Sequence, residues 1–432
     1  MIKKVLIWIF FILSGFACET NPTGINPSDK LLQVEDVEVT DAWLKVTLSS
    51  AVAQSLTLYR NGQPLLSFPR GPVDTTVIDG SLLPNHNYTY TLSYPSAFGY
   101  TVDVNKVNIT TMDTTSHNMR WYVDTIAGGS FTDVAIVNDT LIYAVGNLFT
   151  KDPISQFDTV PWNTAIWNGQ SWSLQVVYVQ IPVTPPYPPG YCKCNLEGAV
   201  VLSSNDIWFT NWNQIIRWGG SSVANYSYAQ GSLAHLWASS ENNVYGVGTD
   251  GDISHYNCSD WKKLVSGTTT TVQDVWGSLN SDKKTFTILC AVSEINAAGD
   301  SKILKIDKND SASVITEYPP YAKITSIWFN AHHTYFLGMA RPVVGYFNLY
   351  WSEPYNIPVD QINRIRGTEI NDVFAVGDNG LCAHFNGMTW KYYPEMAATA
   401  GGYYGLAVTK SMVVAVGGIN MGHAVILRGY RQ

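Results

Sequence analysis

The sequence predicts an all-β protein in which a small immunoglobulin-like sandwich precedes a seven-bladed β-propeller. The phrase Asn-Asp-Val-Phe-Ala-Val-Gly at residues 371–377 returns as Asn-Asn-Val-Tyr-Gly-Val-Gly at residues 242–248 and, more loosely, at residues 138–146. Each copy is followed by a tryptophan that opens a further short strand, at Trp390, Trp261 and Trp172. Self-similarity at a period of about 40–45 residues, with four short strands per unit, is typical of a β-propeller.

The composition favours twisted sheets and argues against nucleic acid as a partner. Aromatic residues make up 13% of the 432 residues and charged residues only 14%. Tyr and Trp pack well across neighbouring strands. The formal net charge is −8 and the chain lacks Lys/Arg clusters. Nucleic-acid binding depends on neutralising phosphates, so this charge pattern does not fit it.

The cysteines and histidines indicate no metal site and no cofactor. Cys192 and Cys194 form a C-x-C, but no second pair completes a metal site. A disulfide from either cysteine stays open, because the sequence does not name its partner. The eight histidines form no metal-binding motif. His255 and His384 take the same position in two third strands, which favours a structural role.

The first residues indicate export. Residues 1–4 are basic, and residues 5–17 form an apolar run of 13 residues, too short to span a bilayer. Ser-Gly-Phe-Ala then precedes Cys18, which resembles a bacterial lipoprotein signal. The resemblance implies cleavage before Cys18 and lipidation of that cysteine. An ordinary secretory signal or an uncleaved anchor is the alternative.

The segment after the signal predicts a tether and a location. Residues 18–30 are rich in Asn, Pro, Ser and Gly and indicate a flexible linker. Cleavage would remove Lys3 and Lys4, which changes the net charge from −8 to −10. By the lipoprotein resemblance, Glu19 after the cysteine favours the outer membrane. We therefore expect a cell-envelope protein, on the periplasmic or the surface side.

Residues 31–113 predict the sandwich. Short alternating strands are separated by turns, and Arg-Asn-Gly-Gln at residues 60–63 is a strong hairpin signal. About 80 residues with seven short strands suit an immunoglobulin-like fold. The phrase Leu-Leu-Pro-Asn-His-Asn-Tyr at residues 82–88 resembles the corner of fibronectin type III domains. That resemblance implies a corner role for Tyr88, a core position for Trp43, and a spacer function.

Residues 118–432 predict the propeller. The repeated phrase reaches seven corresponding points, at Gly146, Asn211, Gly248, Ser293, Gly338, Gly377 and Gly417. The last unit lacks a fourth strand, which elsewhere begins with Trp. Residues 120–124, Arg-Trp-Tyr-Val-Asp, have that form and precede the first unit. We expect them to complete the seventh blade, which would close the ring and remove two exposed edges.

The whole chain resembles bacterial lipoproteins that carry a fibronectin-like domain and a seven-bladed propeller. Asp-Val-Trp, Ala-Val-Gly and the Asn-Gly turns before Trp carry the resemblance. Some similar proteins are labelled glucosyltransferases. The sequence has no alternating strand–helix pattern for a nucleotide-binding sheet. Asp250-Gly251-Asp252 has the form of a metal–nucleotide motif, but it falls where a hairpin turn requires Gly and Asp.

The innermost strands supply the first candidate site. Aligned on Asp274-Val275-Trp276, each apolar packing residue is preceded by a residue that alternation sends to the opposite face. We expect these residues to line the central channel and to hold a small polar ligand or a cation. The alternative is a water-filled channel whose polar groups satisfy one another. The residues are Asp133, Gly198, His235, Asp274, Ser326, Arg364 and Gly405.

Two long loops supply the second candidate site. Residues 148–164 lie within blade 1 and residues 178–196 join blades 1 and 2, so both emerge on one face. Aromatic platforms of this kind suit sugars and extended peptides. The alternative is a pair of loops that bury their own rings. The aromatic residues are Phe149, Phe157, Trp162, Tyr187 and Tyr191.

These patterns predict a non-catalytic lipoprotein whose propeller binds a protein, a peptide or a glycan. The alternative is a carbohydrate-active enzyme, a hydrolase or a transferase, at the channel mouth. Asp133 and Asp274 would be its carboxylates, since glycosidases use a pair. A purely structural envelope protein is the third reading. We assign no catalytic residue, and we expect a membrane as partner through Cys18.

Overall fold

The computed structural model describes two compact units, Met1–Thr114 and Thr115–Gln432. Cys18 and the tether up to residue 29 lie outside the described residues. No helix among the described residues is long and apolar enough to cross a membrane. The described residues are 30–49, 52, 54–96, 98–155, 159–181, 188–280, 282–294, 301–315, 323–339, 342–346, 360–397, 401–419 and 422–432.

The first unit is built from two antiparallel sheets. One sheet has the order β1-β2-β5 and the other the order β4-β3-β6-β7. Asn61 and Gly62 join β3 to β4 with positive φ angles of 48° and 78°, as the predicted hairpin turn requires. The strands are β1 (Leu32–Val37), β2 (Ala42–Leu48), β3 (Leu56–Arg60), β4 (Gln63–Phe68), β5 (Val73–Asp79), β6 (Asn87–Pro95) and β7 (Thr101–Thr110).

One core joins the two sheets of this unit. Alternation in β2 sends Leu44 and Val46 into a cluster that also contains Leu58 and Tyr90. The Tyr88 hydroxyl accepts a hydrogen bond from the Leu83 N–H at 2.9 Å, as the resemblance implied.

Trp43 occupies a buried position, as the resemblance implied, but on a different face of its strand from the core between the two sheets. Trp43 is buried, but it follows Ala42 and precedes Leu44, so it lies on the opposite face of β2. It is not a member of the cluster that joins the two sheets.

The described residues of the second unit form seven consecutive blades, of which the first and the last are joined in one seven-stranded sheet. In each complete blade four strands pair in order from the first, innermost strand to the fourth. A two-stranded hairpin, β12 and β13, lies between blades 1 and 2. Blade 1 contains β8 (Met119–Asn138), β9 (Leu141–Lys151), β10 (Thr159–Trp167) and β11 (Trp172–Gln175), and the hairpin contains β12 (Val179–Ile181) and β13 (Gly190–Cys192). Blade 2 contains β14 (Ala199–Ser203), β15 (Asp206–Asn211), β16 (Gln214–Trp218) and β17 (Val223–Tyr228). Blade 3 contains β18 (Leu233–Ser240), β19 (Asn243–Gly248), β20 (Ile253–Tyr256) and β21 (Trp261–Lys263).

Blades 4 to 7 repeat this arrangement, and three strands of blade 5 fall within the described residues. A single 3-10 turn, Thr249–Gly251, and a short helix α1, Pro394–Ala397, interrupt the strands. Blade 4 contains β22 (Val272–Leu279), β23 (Phe286–Val292), β24 (Lys302–Ile306) and β25 (Ala312–Ile315), and blade 5 contains β26 (Ser326–Phe329), β27 (Thr334–Gly338) and β28 (Val343–Tyr346). Blade 6 contains β29 (Ile362–Glu369), β30 (Asp372–Gly377), β31 (Cys382–Phe385) and β32 (Trp390–Tyr392). Blade 7 contains β33 (Gly402–Val408), β34 (Met412–Ile419) and β35 (His423–Arg431).

The blades stand in a closed ring because their innermost strands contact one another in a cycle. β8 contacts β14, the series continues through β18, β22, β26, β29 and β33, and β33 contacts β8 again. Among the described residues, one hydrophobic cluster lies between the two blades of each of the seven neighbouring pairs. Each blade is therefore covered on both faces. For this reason second strands such as β15 and β30 are buried along their whole length and lack a polar face.

The predicted closure of the ring is confirmed. The first half of β8 pairs with β35, with Trp121 opposite Gly429 and Tyr122 opposite Arg428. The second half of β8 pairs with β9 as the innermost strand of blade 1. One strand thus completes blade 7 and begins blade 1, so neither blade has a free edge at the seam.

Candidate functional site

The polar residues predicted for the channel occupy one equivalent position in the ring. In blades 1, 3, 4, 6 and 7 the innermost strand carries a register shift immediately before this position. The position faces the following blade: Asp133 accepts a hydrogen bond from the Ala199 N–H of blade 2 at 3.1 Å. Asp274 likewise accepts from the Ile327 N–H of blade 5 at 3.1 Å. These residues of the innermost strands therefore also contact the backbone of the neighbouring blade.

Asp274 is the centre of this polar cluster. Its side chain is fully buried, and both of its oxygens lie 2.8 Å from the Arg366 guanidinium. The Ser326 hydroxyl donates to Oδ2 at 2.5 Å, and Arg364 Nη1 lies 3.0 Å from Oδ1. Arg366 also covers the Trp276 ring, 4.7 Å from its centroid. The sequence did not single out Arg366, although its position two residues after Arg364 puts it on the same face.

Arg364 crosses the ring. Its Nη2 lies 3.0 Å from each ring nitrogen of His235. Arg364 belongs to blade 6 and His235 to blade 3, the largest separation that a seven-membered ring allows. The guanidinium therefore reaches the far side and obstructs the central channel at this level. Arg364 is buried, with 4% of its surface exposed.

Burial and these charges shift the pKa values of the cluster in different directions. Burial alone would raise the pKa of Asp274, but the Arg366 and Arg364 charges outweigh it and hold the pKa below its ordinary value. Burial raises the pKa of Asp133, against the attraction of Arg364. Burial, reinforced by the Arg364 charge, lowers the pKa of His235. The groups pair with one another, as the alternative reading of the channel expected.

The third-strand histidines form part of another repeated contact. His255 stacks on Tyr245 with ring centroids 4.1 Å apart, and its Nε2 lies 2.8 Å from Asn243 Oδ1. His384 stacks on Phe374 at 4.3 Å, and its Nε2 lies 3.2 Å from Asp372 Oδ1. In both blades the histidine ties the third strand to the beginning of the second. This is a structural use of the side chain.

The Asp-x-Asp sequence forms a turn. Asp250 and Gly251 have φ angles of 55° and 71°, in the left-handed region that a tight connection between β19 and β20 requires. Asp252 accepts a hydrogen bond from the Ser232 N–H at 2.7 Å and pairs with Lys263. Its oxygens are thus engaged by protein groups.

The aromatic residues of the first predicted loop belong to an extended hairpin. β9 and β10 continue past the blade, with Phe149 opposite Pro161. Trp162 Nε1 donates to Thr150 Oγ1 at 3.0 Å, and its ring packs on the core between blades 7 and 1. Phe149 is exposed. Phe157, on the same segment, lies outside the described residues.

The connection between blades 1 and 2 contains the hairpin β12–β13. Cys192 and Cys194 form a disulfide with each other at its end. The Gln214 side chain accepts from the Gln180 N–H at 2.8 Å and donates to its carbonyl at 2.7 Å, which holds the hairpin against blade 2. Tyr191 is exposed, and Tyr187 lies outside the described residues.

A groove with aromatic walls lies at the outer rim, between the fourth strands of blades 1 and 2. It has a volume of about 470 Å³. Tyr178 and Tyr191 come from the connection, and Tyr226 comes from β17. Ser221, Ser222 and Gln175 add hydroxyl and amide groups. We call it the rim groove; of the predicted aromatic residues, Tyr191 lines it.

The sequence offered few signals for the rim groove. Tyr178 opened the predicted loop, but Tyr226 lies in an ordinary fourth strand and became relevant only through folding. Trp212, in the turn between β15 and β16, is 58% exposed and has a φ of 55°, which is unusual for a bulky residue. The tryptophan in Asn-Trp-Asn, at a position where a turn residue is expected, was the sequence signal for an exposed ring at Trp212.

Solved structures share the architecture of the second unit. YCF48 bound to D1 peptide matches with a TM-score of 0.52 and 12% identity, over 74% of this chain and 97% of that chain. The WD40 β-propeller domain of Doa1 matches with a TM-score of 0.53 and 11% identity, over 73% and 98%. The second unit is a β-propeller. YCF48 from Cyanidioschyzon merolae also matches this propeller, with a TM-score of 0.50 and 13% identity, over 72% and 98%.

At these identities the likeness shows the fold alone. No protein-family model matches the chain, and no curated protein matches it.

Proposed function

We propose that this protein is a non-catalytic cell-envelope lipoprotein whose propeller binds a protein, peptide or glycan ligand. The observation that carries the binding role is the rim groove, where Tyr178 and Tyr191 are 46% and 54% exposed. Exposed, closely spaced aromatic rings around a concave surface are typical of ligand sites in proteins. One of the similar propellers is described with a peptide bound, which supports a peptide as one ligand class.

The contacts of two carboxylates weigh against catalysis. We call the polar group around Asp274 the axial cluster; its other members are His235, Ser326, Arg364 and Arg366. A glycosidase needs one carboxyl that gives up a proton and another that attacks or activates water. Both oxygens of Asp274 are held by guanidinium and hydroxyl groups. The oxygens of Asp133 accept from the backbone N–H groups of Val134 and Ala199. All four carboxylate oxygens thus already accept hydrogen bonds from protein groups, which weighs against the enzyme alternative.

The envelope location is proposed from the first residues. The basic start, the short apolar run and Cys18 support a lipid anchor, and Glu19 supports the outer membrane. In this proposal the first unit is a fibronectin type III-like spacer between the tether and the propeller. Its two sheets and the hydrogen bond of Tyr88 support that assignment.

Arrays of glycans and peptides, probed with the chain from residue 19 onward, test the binding role. We expect saturable binding to at least one class. The absence of saturable binding on both arrays, with turnover of a glycan by the same protein, would contradict the proposal and favour the enzyme alternative.

Cys18→Ser tests the anchor. In a bacterial host fed a labelled fatty acid, the parent protein is expected to incorporate label and to partition into the membrane fraction. The variant is expected to lose both, because the acylated thiol is absent. Cys258→Ser, which removes an exposed cysteine elsewhere, is the control and should keep the label. Unchanged labelling of Cys18→Ser would contradict lipidation at this residue.

A further inference from the structure

We propose that the rim groove binds a neutral oligosaccharide. This inference rests on the proposed binding function and names its ligand class. It depends on three properties of the groove: its described lining residues are uncharged, protein contacts hold the Tyr178 backbone and the Tyr191 ring, and its polar groups are hydroxyls and an amide.

The charge of the lining separates this groove from two larger ones. None of the described residues that line the rim groove is charged. A groove of about 710 Å³ between blades 3 and 4 includes Asp250, Lys263 and Lys302. Another of about 720 Å³ at the seam includes Arg120 and Arg428. A charged ligand in the rim groove would lose hydration without gaining an ion partner, so the chemistry favours a neutral one.

Protein contacts hold the backbone that carries Tyr178 and the ring of Tyr191 before a ligand arrives. The Tyr226 hydroxyl donates to the Tyr178 carbonyl at 2.8 Å, and the Tyr191 and Tyr226 ring centroids are 6.2 Å apart. The Asn163 side chain donates to the Val177 carbonyl at 2.7 Å and accepts from its N–H at 2.9 Å. A backbone that is already held loses little conformational freedom on binding, which favours affinity.

The polar groups suit the hydroxyls of a sugar. Ser221, Ser222 and Gln175 are exposed and offer side-chain donors together with acceptors. Sugar hydroxyls also donate and accept, so they can satisfy these groups while the C–H faces of the sugar rings lie on Tyr178 and Tyr191. The volume of about 470 Å³ falls in the range of about 300–1,000 Å³ that is typical of small-ligand sites.

Titration with three ligand classes tests the inference. The chain from residue 19 onward is titrated with neutral oligosaccharides (gluco-, xylo- and manno-), with acidic ones (oligo-uronates), and with uncharged peptides. We expect binding to a neutral oligosaccharide only. Tyr178→Ala and Tyr191→Ala should each weaken it about tenfold or more, and Tyr191→Phe should weaken it little, because the ring remains.

The matched control is Tyr100→Ala. Tyr100 lies in the first unit and is 54% exposed, the same as Tyr191, so its loss should leave affinity unchanged. Circular dichroism of each variant confirms folding. Binding of peptides that depends on Tyr178 and Tyr191 would overturn the ligand class and leave the proposed binding function standing. Binding of acidic oligosaccharides only, or neutral binding unaffected by both substitutions, would also overturn it. No binding of any class would contradict the proposed function itself.

Discussion

At the scale of single residues, Asp274 shows how a polar group can be kept in the interior of an otherwise apolar ring. Arg366, Arg364 and Ser326 surround its carboxylate, and no part of it reaches solvent. These partners come from blades 5 and 6, so one carboxylate links three blades. Removal of one member of such a group lowers the free energy of unfolding by more than the ion pair itself contributes to it. The reason is that the remaining charges stay buried without a partner.

Asp274→Ala is therefore expected to lower the free energy of unfolding by about 3–5 kcal/mol, measured by equilibrium urea denaturation. Glu241→Ala is the control. It removes an exposed partner of Arg217, with 54% of the Glu241 side chain exposed, and should cost less than about 1 kcal/mol. Equal effects of the two substitutions would show that the axial cluster does not hold the blades together.

At the scale of the element, His384 of blade 6 and His117, which lies just before β8, form a pair whose geometry decides which ring nitrogens donate. His384 Nε2 donates to Asp372 Oδ1, so in the neutral ring Nδ1 is the acceptor. His117 Nδ1, 3.0 Å away, must then donate, which leaves His117 Nε2 to accept from the Thr389 hydroxyl at 3.2 Å. Two protonated rings would bring two N–H groups together. The contact therefore tolerates at most one added proton.

The pKa shifts of this pair predict lower stability in acid. Burial, with the charges of His384 and Lys391, lowers the pKa of His117 to about 4, and burial lowers that of His384 against the attraction of Asp372. The unfolded chain, with histidine pKa values near 6.5, then binds more protons than the folded chain between about pH 6.5 and 4. Stability should fall as the pH falls through that window.

His117→Asn tests this dependence. The variant should lose less stability than the parent between about pH 6.5 and 4, as measured by urea denaturation at a series of pH values. His423→Asn, at an exposed histidine in β35, is the control and should follow the parent curve. A variant at His117 whose pH dependence equals that of the parent would contradict the assignment.

At the scale of the whole propeller, the seam decides whether the ring is one cooperative body. Arg428 of blade 7 covers the Trp167 ring of blade 1, 3.9 Å from its centroid, and its Nε donates to Asp124 Oδ2 at 2.8 Å. The buried residues Val425, Ile426 and Leu427 of β35 belong to the cores on both sides of blade 7. Backbone pairing and side-chain packing thus act together at the seam.

Removal of residues 423–432 is expected to open the ring. It leaves β34 and the first half of β8 without their partner strand and exposes two cores, so the propeller should lose its single cooperative thermal transition and self-associate. Differential scanning calorimetry and size-exclusion chromatography measure this. Removal of Gln432 alone is the control. A truncated chain that melts like the parent would show that the seam does not carry the closure.

Much of the architecture could be predicted from the sequence, because repeated turns and tryptophans mark each blade. The pairing of Trp121 with blade 7 followed from the absence of a fourth strand in the last repeat. The site was less accessible. Asp274 was recognised as polar on an inner strand, but Arg366 and Tyr226 acquired their roles through contacts with other blades. A pattern along one strand does not report which distant strand lies opposite.

The sequence by itself determined that this chain is all-β and that its propeller has seven repeats. It also determined that the strand at the start of the propeller, around Trp121, joins the last blade. These properties depend on alternation, turn chemistry and periodicity, which act over a few residues. Only the tertiary structure decided that Arg364 reaches His235 across the axis and that Tyr178, Tyr191 and Tyr226 meet at one rim. The reason is physical: such contacts depend on the curvature and packing of whole sheets, which no local pattern encodes.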